Sequence, residues 1–173
     1  MNSSSLSTLS LAILGLISQR SMSGYDLKRV FTDTPMGQFS ASPGAIYPAL
    51  KRLATAEFID SKREAADSLR PREVYSLTKK GKAALATHLT QPVTVDSVTW
   101  KLDELILGFA FMRPIIGKKA TLAFLKQLHQ QTERHAKSLQ THLDASRSDF
   151  SQEQALALEH GIAKYRMNAQ WAK

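Results

Sequence analysis

The chain has 173 residues, 43% of them hydrophobic, which suits one domain of ordinary size or two small ones and argues against a multi-domain enzyme. Lys and Arg number 23 against 15 Asp and Glu, a formal net charge of +8, so the favoured partners are polyanions: nucleic acid or an anionic surface. With no cysteine, disulfides, thiolate metal sites and cysteine nucleophiles are excluded.

Near the start, residues 9–17 form the only uninterrupted apolar-rich stretch, about half of the roughly 20 residues that a membrane span needs. No basic segment precedes it as a secretory signal requires, so the chain reads as soluble and unexported, with no membrane partner. Leu6, Leu9, Ile13, Leu16 and Ile17 recur at helical spacing and predict a first helix, closed by the polar turn of Gln19, Arg20 and Ser21. Ser23 caps a second helix with the apolar stripe Leu27, Val30 and Phe31, ending near Thr34, Pro35 and Gly37. Ser42 before Pro43 starts a third, since serine caps the free amides and proline gives up an N–H that had no partner. Its core stripe is Ile46, Leu50 and Leu53, which turns Gly44, Tyr47, Pro48 and Lys51 outward. The ring of Pro48 crowds the carbonyl of Gly44, so a slight distortion is expected there.

Residues 58–63, a polar loop over 64–71 and residues 72–77, with Tyr75 and Leu77 on one face, predict a β-hairpin. Thr78 caps a fourth helix that runs to about Leu89 and ends at Gln91 and Pro92. Beyond it Leu102, Leu105, Ile106, Phe109 and Met112 form an amphipathic stripe, stopped by Arg113 and Pro114. A longer helix is predicted over about 115–143, its seam running Leu122, Leu125, His129, Thr132, Ala136, Leu139 and Leu143. Ser151 and Gln154 form a capping box that opens a last helix carrying Ala155, Leu158, Ile162, Tyr165 and Ala169 on one side.

The expected fold is therefore mostly α. Helix, helix, capped helix and hairpin within about 80 residues is the layout of a winged helix-turn-helix, whose third helix enters the major groove while the hairpin reaches flanking backbone. Between positions 51 and 82 there are nine basic residues against five acidic ones, a surplus of four and half the excess of the chain. Such charges pair with phosphates and release counterions.

Three stretches carry a family resemblance: Gly24-Tyr25-Asp26-Leu27, then Ser42-Pro43-Gly44-Ala45-Ile46-Tyr47-Pro48-Ala49-Leu50-Lys51-Arg52-Leu53, then Arg72-Glu73-Val74-Tyr75-Ser76-Leu77-Thr78-Lys79-Lys80-Gly81-Lys82. In this order and at these distances they resemble the signature stretches of the PadR family of transcription regulators, over roughly residues 6–90. Residues 91–112 resemble, with weaker motifs, the start of the helical C-terminal domain of the longer members. The resemblance implies a cytoplasmic homodimer whose C-terminal helices exchange with the partner. It also implies repression of nearby genes and, in several members, release by a small aromatic or drug-like ligand. The family usually has glycine where this chain has Glu57, at the expected left-handed cap of the third helix.

The candidate DNA-binding residues are Tyr47 and Lys51, one turn apart on the outward face, with Ser40, Ser42, Gly44, Ala45 and Arg52 around them. An exposed Tyr and Lys on any surface helix would look the same. Tyr25 either bonds a phosphate or packs beneath the third helix. Arg70 and Arg72 flank Pro71 near the hairpin tip, where a basic tip tracks the minor groove, and Lys79 of the helix after it is a further candidate; a solvated loop of mixed charge, with Glu64, Asp67 and Glu73, is the competing view of the tip. Trp100 and Trp171 suit an aromatic ligand, or else fill a dimer core. Leu102, Leu105, Ile106, Phe109, Leu158, Ile162 and Tyr165 are the candidate dimerisation residues.

His88, His129, His135, His142 and His160 show no close metal-ligand spacing, so neither a metal nor a cofactor is expected. Asp103 and Glu104 are adjacent, hence about 100 degrees apart on a helix, and form no catalytic pair. With no GxSxG, P-loop, HExxH or glycine-rich dinucleotide turn, the chain is not expected to be an enzyme. The expectation is a DNA-binding domain over residues 1–90 and a helical dimerisation domain, with any ligand site, over 91–173. Together they make a homodimeric regulator of double-stranded DNA, probed against two alternatives: a constitutive binder without ligand, and a basic membrane- or RNA-associated protein.

Overall fold

The computed structural model describes residues 6–39, 43–64 and 72–173. Helix α1 (Thr8–Gln19) opens on Ser7, whose hydroxyl accepts the Ser10 N–H at 3.2 Å. Its buried residues include Leu11 and Leu14 beside the expected Ile13 and Ile17, while Leu9 and Leu16 are only half-buried. Elements pack against this helix on more than one side, so it buries nearly its whole circumference and a single stripe misjudges which residues are deepest.

Strand β1 (Met22–Ser23) leads into α2 (Gly24–Asp33) through a full capping box: Asp26 N–H donates to Ser23 Oγ at 3.1 Å and Ser23 N–H to Asp26 Oδ2 at 3.0 Å. Leu27 and Phe31 are buried as expected. A 3₁₀ turn (Pro35–Phe39) follows, and a second one (Pro43–Ala45) precedes α3 (Ile46–Thr55). Ser42, the expected cap, lies outside the described residues. Because the regular helix begins only at Ile46, Pro48 is its third residue, where an N–H would have had no intrahelical partner to lose. The expected irregularity is the 3₁₀ turn ahead of it. Ile46, Leu50 and Leu53 are buried with Ala49, and Gly44, Tyr47, Pro48 and Lys51 are exposed.

The end of α3 is a Schellman turn: Phe58 N–H donates to Leu53 O and Glu57 N–H to Ala54 O, each at 2.9 Å, with Glu57 left-handed at φ 60°. The cap forms without the glycine usual there. Strands β2 (Ile59–Glu64) and β3 (Arg72–Leu77) pair antiparallel as predicted, from Ile59 opposite Leu77 to Glu64 opposite Arg72. The hairpin edge is completed by β1, Met22 opposite Tyr75, in the sheet order β1-β3-β2. Two residues are too few to leave an alternation in the sequence, which therefore carries no sign of β1. Thr78 caps α4 (Lys79–Leu89), accepting Gly81 N–H at 2.9 Å and donating to Glu57 O at 2.7 Å, which ties the cap of α3 to the start of α4.

The expected stop at Pro114 does not occur. A single helix, α5 (Val95–Ala145), runs for 51 residues through it, because a proline kinks a helix without ending it when the flanking turns remain bonded. Three residues on, Gly117 is left-handed at φ 80°, with no atom within 4 Å of where a Cβ would stand. Conformation, not space, demands glycine there. Gly117 is also the last of three places where the chain passes between two compact units: one takes the chain up to Thr90 with Leu107–Gly117, the other Gln91–Ile106 with Lys118–Lys173.

In the first unit Phe111 packs directly over Gly15. In the second, α6 (Gln152–Trp171) starts at the predicted capping box, with Gln154 N–H donating to Ser151 Oγ at 3.3 Å and Ser151 N–H to Gln154 Oε1 at 2.8 Å. Leu143, Ala155 and Ile162 form its core, joined by Leu139, Phe150 and Leu158. The polar centre of the seam, His129 and Thr132, is only partly accommodated, and His135 beside it finds an aromatic partner. His129 Nδ1 lies 2.9 Å from Ala169 O, the His135 ring meets Tyr165 edge-on, and Thr132 is buried with its hydroxyl unpaired. Leu122, expected in that seam, is exposed. Among the described residues no helix is long and apolar enough to cross a membrane.

Candidate nucleic-acid interface

The outward residues of α3 owe their position to the inward ones. With Ile46, Ala49, Leu50 and Leu53 locked in the core, the helix has no freedom to rotate, and Tyr47, Lys51 and Arg52 are held in solvent. Tyr47 is 53% exposed and its ring lies across the first turn of α2: a Cβ on Gly24 would stand 2.7 Å from Tyr47 Cε1. Glycine therefore permits this stacking of aromatic ring on backbone. Tyr25, the next residue, is 64% exposed rather than packed beneath α3.

Tyr25 and Tyr47 border an open cleft of about 400 Å³, completed by Ser23, Gly24, Arg72, Glu73 and Tyr75. Three of the candidate residues, Tyr25, Tyr47 and Arg72, thus converge there from α2, α3 and β3. Gly44 is exposed and Ala45 half-buried ahead of α3, and Lys79 is exposed at the start of α4. Ser40, Ser42 and Arg70 lie outside the described residues.

The cleft also holds two groups outside the candidate DNA contacts, Glu73 and Tyr75. Glu73 accepts hydrogen bonds from Ser61 Oγ at 2.6 Å and Tyr75 Oη at 3.0 Å, and these bonds hold its carboxyl below the usual range. Burial, then the bond to Glu73, pushes the Tyr75 hydroxyl up to about 12. The available signal was strand alternation, which puts positions 73 and 75 on one face with the paired Ser61.

Charge is distributed unevenly over this surface. In the wing strands Arg63 is opposite Glu73 and Arg72 opposite Glu64, and the three bases Lys62, Arg63 and Arg72 are balanced by Asp60, Glu64 and Glu73. The excess resides instead on α3, at Lys51 and Arg52, and at the start of α4, at Lys79, Lys80 and Lys82. Cations at a helix N-terminus oppose the helix dipole, so the lysines of α4 do not serve the stability of that helix. Lys80 is held by Glu57 at 2.6 Å, and that partner keeps the Glu57 carboxyl low.

In the second unit Trp100 on α5 is 82% exposed and Trp171 on α6 is 51% exposed, so the chain itself encloses neither. Of the candidate dimerisation residues Leu102 and Ile162 are buried, and Leu105, Ile106, Phe109, Leu158 and Tyr165 half-buried. Ile162 and Leu158 are already covered by α5 of the same chain. The large apolar side chains that α6 exposes are Leu156, Met167 and Trp171.

Residues 13–87 match the transcriptional regulator PadR-like family. The negative transcriptional regulator PadR of Bacillus subtilis (strain 168) is 33% identical over 128 residues, which cover 71% of this chain and 66% of that protein, just under two thirds of its length. Similar solved structures include B. subtilis PadR in complex with operator DNA, 24% identical with a TM-score of 0.45 over 95% of this chain and 94% of that one. The same protein in complex with p-coumaric acid is 23% identical with a TM-score of 0.44 over 99% and 94%. A PadR-like transcriptional regulator from Bacillus cereus is 20% identical with a TM-score of 0.45 over 99% and 95%. With three motif stretches in order and a winged helix built on them, residues 13–87 belong to the PadR-like family of transcriptional regulators.

Proposed function

We propose that the chain is a sequence-specific regulator that binds double-stranded DNA as a homodimer on a pseudo-palindromic operator and represses transcription in the cytoplasm. The observation that carries this is the convergence of Tyr25, Tyr47 and Arg72, from three elements, beside the exposed Lys51 and Arg52 of α3. Buried leucines fix a polar face outward, and aromatic hydroxyls and cations line it, as phosphate contact and base reading require. Repression is supported by the 33% identical relative, a negative regulator. Residues 1–90 act as the DNA-binding domain and 91–173 as the dimerisation domain. The contacts proposed with DNA are Tyr25, Ser40, Ser42, Gly44, Ala45, Tyr47, Lys51, Arg52, Arg70, Arg72 and Lys79.

Selection of bound fragments from random duplex DNA tests this directly, by yielding a paired motif or none. On the selected site, Tyr47→Ala costs about 1–3 kcal/mol and relaxes preference at one position, whereas Lys51→Ala weakens all sequences alike and lowers the salt slope by about one. Operator affinity untouched by both changes sinks the proposal. A small aromatic effector is the further part of the reading, resting on the exposed indoles of Trp100 and Trp171. Unchanged tryptophan fluorescence on adding phenolic acids favours a constitutive binder instead.

A further inference from the structure

A carboxylate is costly on a surface that holds phosphates, yet Glu73 lines the same cleft as Tyr25, Tyr47 and Arg72. It is fixed there. One oxygen takes the Ser61 hydroxyl of β2 and the other the Tyr75 hydroxyl of β3, so the side chain is tethered to both strands of the wing. Both donors are neutral, and Arg63 at the paired position adds a weaker attraction, so these partners hold the charge in place without cancelling it. Each carboxylate oxygen has acceptor capacity for a further hydrogen bond beyond the one it makes.

We infer that Glu73 is a specificity-determining residue of the DNA surface, accepting a hydrogen bond from an exocyclic base amine and repelling phosphates and acceptor-only base edges. The physical basis is the difference between two modes of binding. Generic duplex is held almost wholly through phosphates, and a fixed negative charge among those contacts weakens it. In the operator complex an amine opposite Glu73 offsets that repulsion, because an ionised acceptor makes the stronger class of hydrogen bond. The residue therefore lowers affinity for the wrong sequence more than for the right one.

This inference rests on the proposed DNA-binding function, and the experiment separates the two. The full-length wild type and Glu73→Gln, which keeps the shape and removes the charge, are each used to select fragments from random duplex. Affinities are then compared for the selected site and a scrambled duplex. The expected result is that Glu73→Gln binds scrambled duplex about tenfold more tightly and loses about tenfold discrimination at one position of each half-site. Ser61→Ala, which releases one tether and leaves the charge, is expected to blur the same position by a smaller factor. If wild type selects a motif and Glu73→Gln selects the same motif with the same ratio of affinities, the inference is overturned and the DNA-binding function stands. If wild type selects nothing, both fall.

Discussion

At the residue scale, Glu57 shows a conformation imposed against local preference. A Cβ disfavours the left-handed region, yet both hydrogen bonds of the Schellman turn form around φ 60°. Glu57→Gly removes the strain and forfeits only an exposed ion pair with Lys80. It is expected to raise the melting temperature by a few degrees, read by circular dichroism, and a lower value refutes strain at this position. Titration carries a second prediction. Asp26, held low chiefly by the Ser23 hydroxyl, and Glu73, held low by Ser61 and Tyr75, both bind protons more weakly folded than unfolded. Their contribution is therefore complete above about pH 4 and is lost as pH falls below it. Tyr75 has the opposite sign: its contribution is present below about pH 10 and is lost as pH rises toward its folded value of about 12. In an ultraviolet titration of the folded protein it should be a late-ionising tyrosine, and Glu73→Gln should bring it down.

At the element scale, α5 is set by two residues of opposite habit. Pro114 lies inside the helix and Gly117 takes a left-handed turn shortly after, where the chain passes from the first compact unit to the second. Gly117→Ala places a Cβ on a backbone that resists it and is expected to lower stability by about 1–2 kcal/mol in chemical denaturation. Gly161→Ala should do the reverse, adding about 0.5–1 kcal/mol, because Gly161 sits inside α6 with open space around the Cβ position. Equal effects from the two would show that φ 80° has no structural weight. Pro114 is legible in the sequence, where it predicts a terminus, but the helix continues through it. The cue for a helix end is the same as the cue for a kink, and the contacts of the flanking turns decide between them.

At the scale of the whole molecule, the proposed DNA-reading face belongs to the first unit and the exposed apolar residues Trp100, Leu156, Met167 and Trp171 to the second. If the second unit pairs two copies, sedimentation should give twice the chain mass, and selected operators should carry half-sites about 34 Å apart. Leu156→Glu with Met167→Glu should then yield monomers that keep the fold and lose operator affinity. Ile162→Glu should unfold the second unit, since Ile162 is 1% exposed inside its own chain. A monomeric wild type contradicts this arrangement.

Sequence by itself determined the order of the first four helices and the hairpin, the caps at Ser23, Thr78 and Ser151, the buried stripe of α3 and hence the outward face of Tyr47 and Lys51. These follow from short-range rules: a cap and a helical period involve residues within one or two turns of each other. Only the tertiary structure decided that β1 joins the wing, that α5 continues past Pro114, that Ile162 is covered within the chain, and that Tyr25, Tyr47, Glu73 and Arg72 border one cleft. Each of these depends on which surfaces meet across distant parts of the chain. The free energy of such meetings comes from burial and packing, which local patterns do not contain.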